Sequence, residues 1–270
     1  MLPLPSSLLP SLASALIYAG ATAYHGARLA RGAKANRALL CGGGVVAVLL
    51  HALALSSQMI GAEGLNLDFI TAASLIAAAV IALTLLACAS LPVENLLVLL
   101  YPLGFVTALV AQFAPAGTVP RIDEAPGILI HILLSILAYG VFTIAAFQAL
   151  LLLLQDHQLK HKHPSGPIRA FPPLQTMESL LFGFLWAGWV LLSLSLVSGW
   201  LFLENMFAQH LVHKTLLSCL AWVVFSVLLV GRTRLGWRGH VAIRWTLSGF
   251  VLLMLAYFGS KLVREYILHI

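Results

Sequence analysis

The sequence predicts an all-α, polytopic membrane protein: a bundle of about eight transmembrane helices, read as a single transmembrane domain over residues 1–270. Three observations carry this. Of 270 residues, 61% are hydrophobic and 9% are charged, where soluble chains carry about 25% charged residues. The mean hydropathy is +0.99, so too little polar material is present to cover a water-facing surface. Eight stretches each approach the roughly 20 apolar residues that a hydrocarbon core requires. They lack the period-two alternation of membrane barrel strands.

The expected spans are 7–29, 38–60, 68–90, 93–113, 127–154, 177–203, 211–230 and 242–263. In the first, Ala13-Ser14-Ala15 resembles a cleavage site. No basic stretch precedes it and the apolar run continues past it, so a retained helix is expected. The second carries Gly42-Gly43-Gly44, which permits close approach of a neighbour. Ser90-Leu91-Pro92 makes a tight hairpin of the third and fourth, and Pro102-Leu103-Gly104 interrupts the fourth. The longest connection, Gln155 to Thr176, holds His157, His161 and His163 among four prolines and reads as a solvated loop rather than a metal chelate.

Composition and motifs also exclude. The formal charge is +6, but no Lys/Arg-rich stretch is interleaved with aromatics, so nucleic acid is set aside. Cys41, Cys88 and Cys219 form no CxxC pair, which argues against a disulfide framework, a zinc site of the usual spacing or attached c-type haem. No Ser/His/Asp order, His-Glu-x-x-His or phosphate-binding loop is present, and an enzyme is not expected. A transporter ranks last, because paired broken helices and acidic midplane residues are missing.

The basic residues set an orientation. Arg28, Arg31, Lys34, Arg37, Lys160, Lys162, Arg169, Arg232, Arg234, Arg238 and Arg244 fall on one side, and Arg121, Lys214, Lys261 and Arg264 on the other. By the positive-inside rule both termini face the periplasm and the chain sits in a bacterial inner membrane. Four histidines then lie in the outer half: His131 near the outer end of helix five, His213 at the start of helix seven, His51 two-thirds along helix two, and His269 after helix eight.

Ionisable residues in spans are expensive and usually face the bundle interior. His131, Ser135 and Tyr139 share one helical face, as do His51 and Gln58. Trp186, Trp189, Ser193 and Trp200 form a second stripe. Neutral imidazoles from different helices are able to hold haem iron from both sides. Lys214 lies where a propionate would be met, and Trp186 and Trp189 would supply a flat apolar wall. The plainer readings stand beside this: His51 as a packing residue, the tryptophans as an aromatic belt, and His213 and His269 as interfacial side chains.

Several segments resemble the cytochrome c assembly family that includes CcsA and CcmC, most closely its smaller YpjD/HemX branch. They are His131-Ile-Leu-Leu-Ser135-Ile-Leu-Ala-Tyr139, His213-Lys214-Thr215 leading into Ala221-Trp222, and Gly236-Trp237-Arg238-Gly239 followed by Trp245, Gly249 and Tyr257-Phe258-Gly259-Ser260-Lys261. The likeness covers about residues 131–262 and is weaker around His51. It implies haem b held at the outer face, with His131 as an axial ligand and His213, His51 or His269 as the second. The tryptophan-rich external segment of the larger members is reduced here to His213-Lys214-Thr215, and Val230-Gly231-Arg232 stands where they carry an intramembrane histidine. Both departures fit the smaller branch. The implied function is haem handling or accessory work in cytochrome c biogenesis. The alternative is a cofactor-free protein that regulates or stabilises a partner, such as one of haem synthesis. Membrane lipid is a partner in either case.

Overall fold

The computed structural model describes residues 6–61, 64–65, 67–114, 126–160, 169–202 and 212–259. Eight α-helices account for most of these residues: α1 (Leu8–Ala30), α2 (Arg37–Met59), α3 (Phe69–Cys88), α4 (Leu97–Phe113), α5 (Pro126–Lys160), α6 (Leu174–Phe202), α7 (Val212–Leu235) and α8 (His240–Met254). A 3₁₀ turn at Glu94–Leu96 leads into α4, and a π turn at Leu255–Gly259 ends α8. Two two-residue strands, β1 (Ile60–Gly61) and β2 (Gly64–Leu65), pair antiparallel after α2. Seven helices, all but α1, are long and apolar enough to cross a membrane, α4 and α8 when taken with their adjoining turns as Glu94–Phe113 and His240–Gly259. The last two turns of α1 hold Tyr24, His25 and Arg28, which lower its apolar character.

Helix ends follow local chemistry. Asn36 accepts the Leu39 N–H at 3.3 Å to cap α2, and Asp68 accepts that of Thr71 at 2.6 Å to cap α3. Of the ends that differ from the expected ones, three have a local cause. α5 runs on to Lys160, because Gln155 to Lys160 contains no glycine or proline to stop it, so His157 is helical. α6 starts at Leu174, directly after Pro172-Pro173. α7 continues through Gly231 to Leu235 and stops where Gly236 takes φ +67°. α4 runs through Pro102 unbroken.

The helices group into two compact units, residues 1–123 with 158–172, and 124–157 with 173–270. In the first, α1 packs on α2 and α4, and α3 closes the ring against the same two. Tyr18 and Tyr101 sit at its centre, fully buried, with ring centroids 5.6 Å apart. Tyr101 donates its hydroxyl to the Leu40 carbonyl at 2.7 Å. That hydroxyl lies where a β-carbon on Gly44 would stand, so of the three consecutive glycines only Gly44 is required by close approach.

In the second unit α7 packs on α6 and α8. The Phe142 ring of α5 stacks on Phe225 of α7, centroids 3.9 Å apart. Gln148 of α5 donates to the Met177 carbonyl of α6 at 2.9 Å. Two tryptophans fasten α6 to α7 reciprocally. Trp189 donates its indole N–H to Ser226 at 2.7 Å, and Trp222 donates to Ser193 at 2.8 Å. The hydroxyls of Ser193 and Ser226 donate in turn to the carbonyls of Trp189 and Trp222.

One end of this unit is charged. Glu178 of α6 accepts from Arg232 of α7 at 3.1 Å and lies 3.7 Å from Arg238 in the α7–α8 turn. The Arg232 guanidinium also covers the Phe182 ring at 4.6 Å and donates to the Trp237 carbonyl at 3.2 Å. The Trp237 N–H closes the turn on the Gly231 carbonyl at 3.1 Å. His240 and Asp156 pair at 2.8 Å.

Candidate functional site

His131 stands in the second turn of α5, half-buried, facing α6. Its Nδ1 lies 3.0 Å from the Ser195 carbonyl oxygen and 3.2 Å from the Ser198 hydroxyl. A carbonyl oxygen only accepts, so Nδ1 carries the ring proton and donates it there. The Nε2 lone pair is thereby left unprotonated. Its nearest polar neighbour, the Ser135 hydroxyl, is 3.5 Å away, too far for a firm bond. Ser135 is occupied elsewhere, 2.7 Å from the His131 carbonyl and 2.8 Å from the Ser195 hydroxyl. A neutral imidazole with Nδ1–H on a backbone carbonyl and a free Nε2 is the form in which histidine ligates metal. His131 thus has the form that would hold a haem iron.

One turn along the same face, Tyr139 of α5 packs against Phe250, Tyr257 and Phe258, with centroids 5.7, 6.1 and 5.7 Å away. This aromatic cluster joins α5 to α8 and to the π turn beyond it, and gives the His131 face an apolar continuation.

His213 lies in the first turn of α7 and is exposed; Lys214 beside it is half-buried. Among the described residues the hydrogen-bond partners of His131 are Ser135, Ser195 and Ser198. His269 lies outside the described residues, as do Arg121, Lys261, Arg264, His161 and His163. Trp189 is stacked on Trp222 at 5.6 Å and committed to the α6–α7 seam, while Trp186 meets it edge-on and is 45% exposed. Trp186 is nine residues from Ser195, which at about 100° per residue puts it on the opposite face of α6. The structure thus does not bring these two tryptophans to His131.

His51 belongs to the first unit and is 1% exposed. Its Nε2 is 2.8 Å from the Ser74 hydroxyl of α3, and its ring meets Tyr18 of α1 edge-on at 6.0 Å. Ser74 in turn reaches the Thr107 carbonyl at 3.3 Å. His51 Nδ1 and the Tyr18 hydroxyl are buried without a hydrogen-bond partner. Gln58, on the same face of α2, bonds Gln112 at 3.3 Å.

Two of the decisive side chains carry no motif. Ser195 and Ser198 stand at i and i+3 in an apolar helix, a weak signal of one shared face that names no partner. Tyr18 shows none. Among the described residues no three His, Cys, Asp or Glu side chains gather as a ligand set for a bare metal ion, whereas haem asks only one or two protein ligands.

Comparison with known proteins decides the family. The model for the cytochrome C assembly protein family matches residues 43–268, which includes His51 and the whole of α5 to α8. The chain belongs to the cytochrome c assembly protein family. Among its relatives, the inner membrane protein YpjD of Escherichia coli K12 is 34% identical over 225 residues, 83% of this chain and 85% of that one. An uncharacterized 28.8 kDa protein of Azospirillum brasilense is 38% identical over 165 residues, 60% of each chain. Protein HemX of Brevibacillus brevis is 26% identical over 162 residues, 58% of this chain and 60% of that one. No solved structure matches. With its apolar helices and this kinship to YpjD, the chain is a multi-pass inner-membrane protein.

Proposed function

We propose that this family member handles haem b at the outer face of the inner membrane, as an accessory of cytochrome c biogenesis. The observation that carries the reading is the Ser195 carbonyl 3.0 Å from His131 Nδ1, which leaves Nε2 as a lone pair on a half-buried ring. His131 would hold the iron, with His213, His51 or His269 as the second ligand and Lys214 available to a propionate. Bound there, haem would supply a redox-active iron. The chain's own part is to hold the imidazole in one tautomer, orient it and screen it from water.

The reading includes an orientation. All eight helices span, α1 included, and both termini face the periplasm, because eleven of the fifteen Lys and Arg residues lie in the connections after α1, α5 and α7 or in the helix turns adjoining them. His131 then lies near the periplasmic surface and the Glu178–Arg232 pair near the cytoplasmic one.

The test is the absorption spectrum of gently purified protein, oxidised and reduced, beside His131→Ala. A Soret band that disappears in the variant supports the reading and assigns one ligand. A colourless protein that takes up no added haem, or a band that His131→Ala leaves unaltered, overturns it.

A further inference from the structure

The charged end of the second unit carries a groove that haem handling at His131 does not use. Its volume is about 460 Å³, and Val224 of α7 lines it together with His240, Val241, Arg244, Trp245 and Ser248 of α8. The five α8 residues fall at i, i+1, i+4, i+5 and i+8, one continuous face of the helix. Along that face the chemistry runs from imidazole to guanidinium and indole, then to hydroxyl, with valines on the flank.

The charges around the groove do not balance. Among the described residues the acids at this end are Asp156 and Glu178, and both are engaged: Asp156 with His240, Glu178 with Arg232 and Arg238. Arg244 is exposed and, among the described residues, has no hydrogen-bonding or ionic partner. A guanidinium keeps its charge at any physiological pH. One turn inside an apolar helix it is costly unless an anion meets it, and at that depth the available anion is a lipid phosphate. Trp245 stands beside it, its ring 5.3 Å from that of Trp237, which the turn hydrogen bond to Gly231 holds in place. An indole so fixed suits the headgroup boundary.

We propose that this groove seats an anionic phospholipid, its phosphate on Arg244 and an acyl chain along Val241 and Val224. A zwitterionic lipid would bring its own ammonium beside an uncompensated arginine and is disfavoured. The lipid site does not depend on haem binding. Only its assignment to the cytoplasmic leaflet rests on the orientation proposed above.

The experiment uses the full chain in detergent, stripped of lipid and titrated with phosphatidylglycerol or phosphatidylcholine, bound lipid being counted by native mass spectrometry. Phosphatidylglycerol is expected to bind about fivefold more tightly, and Arg244→Ala to remove that preference, in line with the usual contribution of one basic residue at a membrane surface. Arg234→Ala, outside the groove, is expected to keep it, and excess inorganic phosphate to displace no lipid. Equal binding of the two lipids by the unaltered chain overturns the proposal, as does a preference that survives in Arg244→Ala. Displacement by inorganic phosphate would mark a free-anion site and overturns it too. If Arg244→Ala does not fold, Arg244→Gln gives the same comparison. Labelling of Arg234→Cys from either side of sealed vesicles reads the leaflet separately, so an error of orientation leaves the lipid result standing.

Discussion

The Nδ1 of His131 and the carbonyl oxygen of Ser195, 3.0 Å apart across two helices, fix which nitrogen of the imidazole is free. The acceptor is backbone, so no side-chain replacement at position 195 removes it. Ser198, 3.2 Å from the same nitrogen and donating to the Ser195 carbonyl at 2.8 Å, is the replaceable part. Ser198→Ala is expected to weaken haem binding by about tenfold, the low end for outer partners of a ligating histidine. A haemin titration followed at the Soret band measures it. An unchanged affinity would show that Ser198 does not orient the ring.

Glu178 and Arg238 predict unequal costs. The Glu178 side chain is 10% exposed and Arg232 27%, whereas Arg238 is 61% exposed. Glu178→Ala strands a mostly buried guanidinium and is expected to cost about 2 kcal/mol, below the 3–5 of a fully buried pair. Arg238→Ala is expected to cost about 0.5 kcal/mol or less. Thermal unfolding in detergent ranks the two, and equal losses would contradict this account of the pair.

Gly44 and Tyr101 compete for one volume. Gly44→Ala is expected to cost about 1–3 kcal/mol by overpacking, while Gly43→Ala, whose nearest neighbour would be 3.9 Å away, stays close to neutral. Tyr101→Phe removes the hydroxyl and its bond to Leu40, at about 1 kcal/mol. In the double variant the alanine is accommodated, so the two losses do not add. Additive losses would place the clash elsewhere.

Tyr18 offers a change in the opposite direction. Its hydroxyl is buried with no partner among the described residues, as is His51 Nδ1. Deleting a buried unsatisfied group relieves a desolvation cost. Tyr18→Phe is therefore expected to raise the unfolding midpoint, by up to about 1 kcal/mol in stability. A lowered midpoint would mean that the hydroxyl is satisfied in the membrane, by water or by a bound molecule.

The helices were legible because lipid leaves no choice: each backbone polar group must be satisfied within its own helix, so apolar runs and helices coincide. The ends moved where the chain lacked a breaker, as from Gln155 to Lys160, or tolerated one, as at Gly231. His131 and Ser135 were legible as one face of α5 from their spacing. Ser195 and Ser198 were not, because the face that α6 turns toward α5 is set by packing at Gly188 and Met177. The hydrogen bond of Trp189 to Ser226 was hidden for the same reason, since the period of the tryptophan stripe does not name its partners. Glu178 was the clearest signal passed over, a lone acid in the second turn of an apolar helix, which all but demands a cation from another helix.

That pair also imposes an order on synthesis. Helices leave the ribosome in sequence, so α6 reaches the membrane before Arg232 and Arg238 do. Until α7 and its following turn arrive, the nascent chain carries an unneutralised carboxylate at the end of α6. The second unit is therefore completed late, when the α7–α8 hairpin docks, and a chain truncated after Phe202 would present that acid to the quality-control machinery of the membrane.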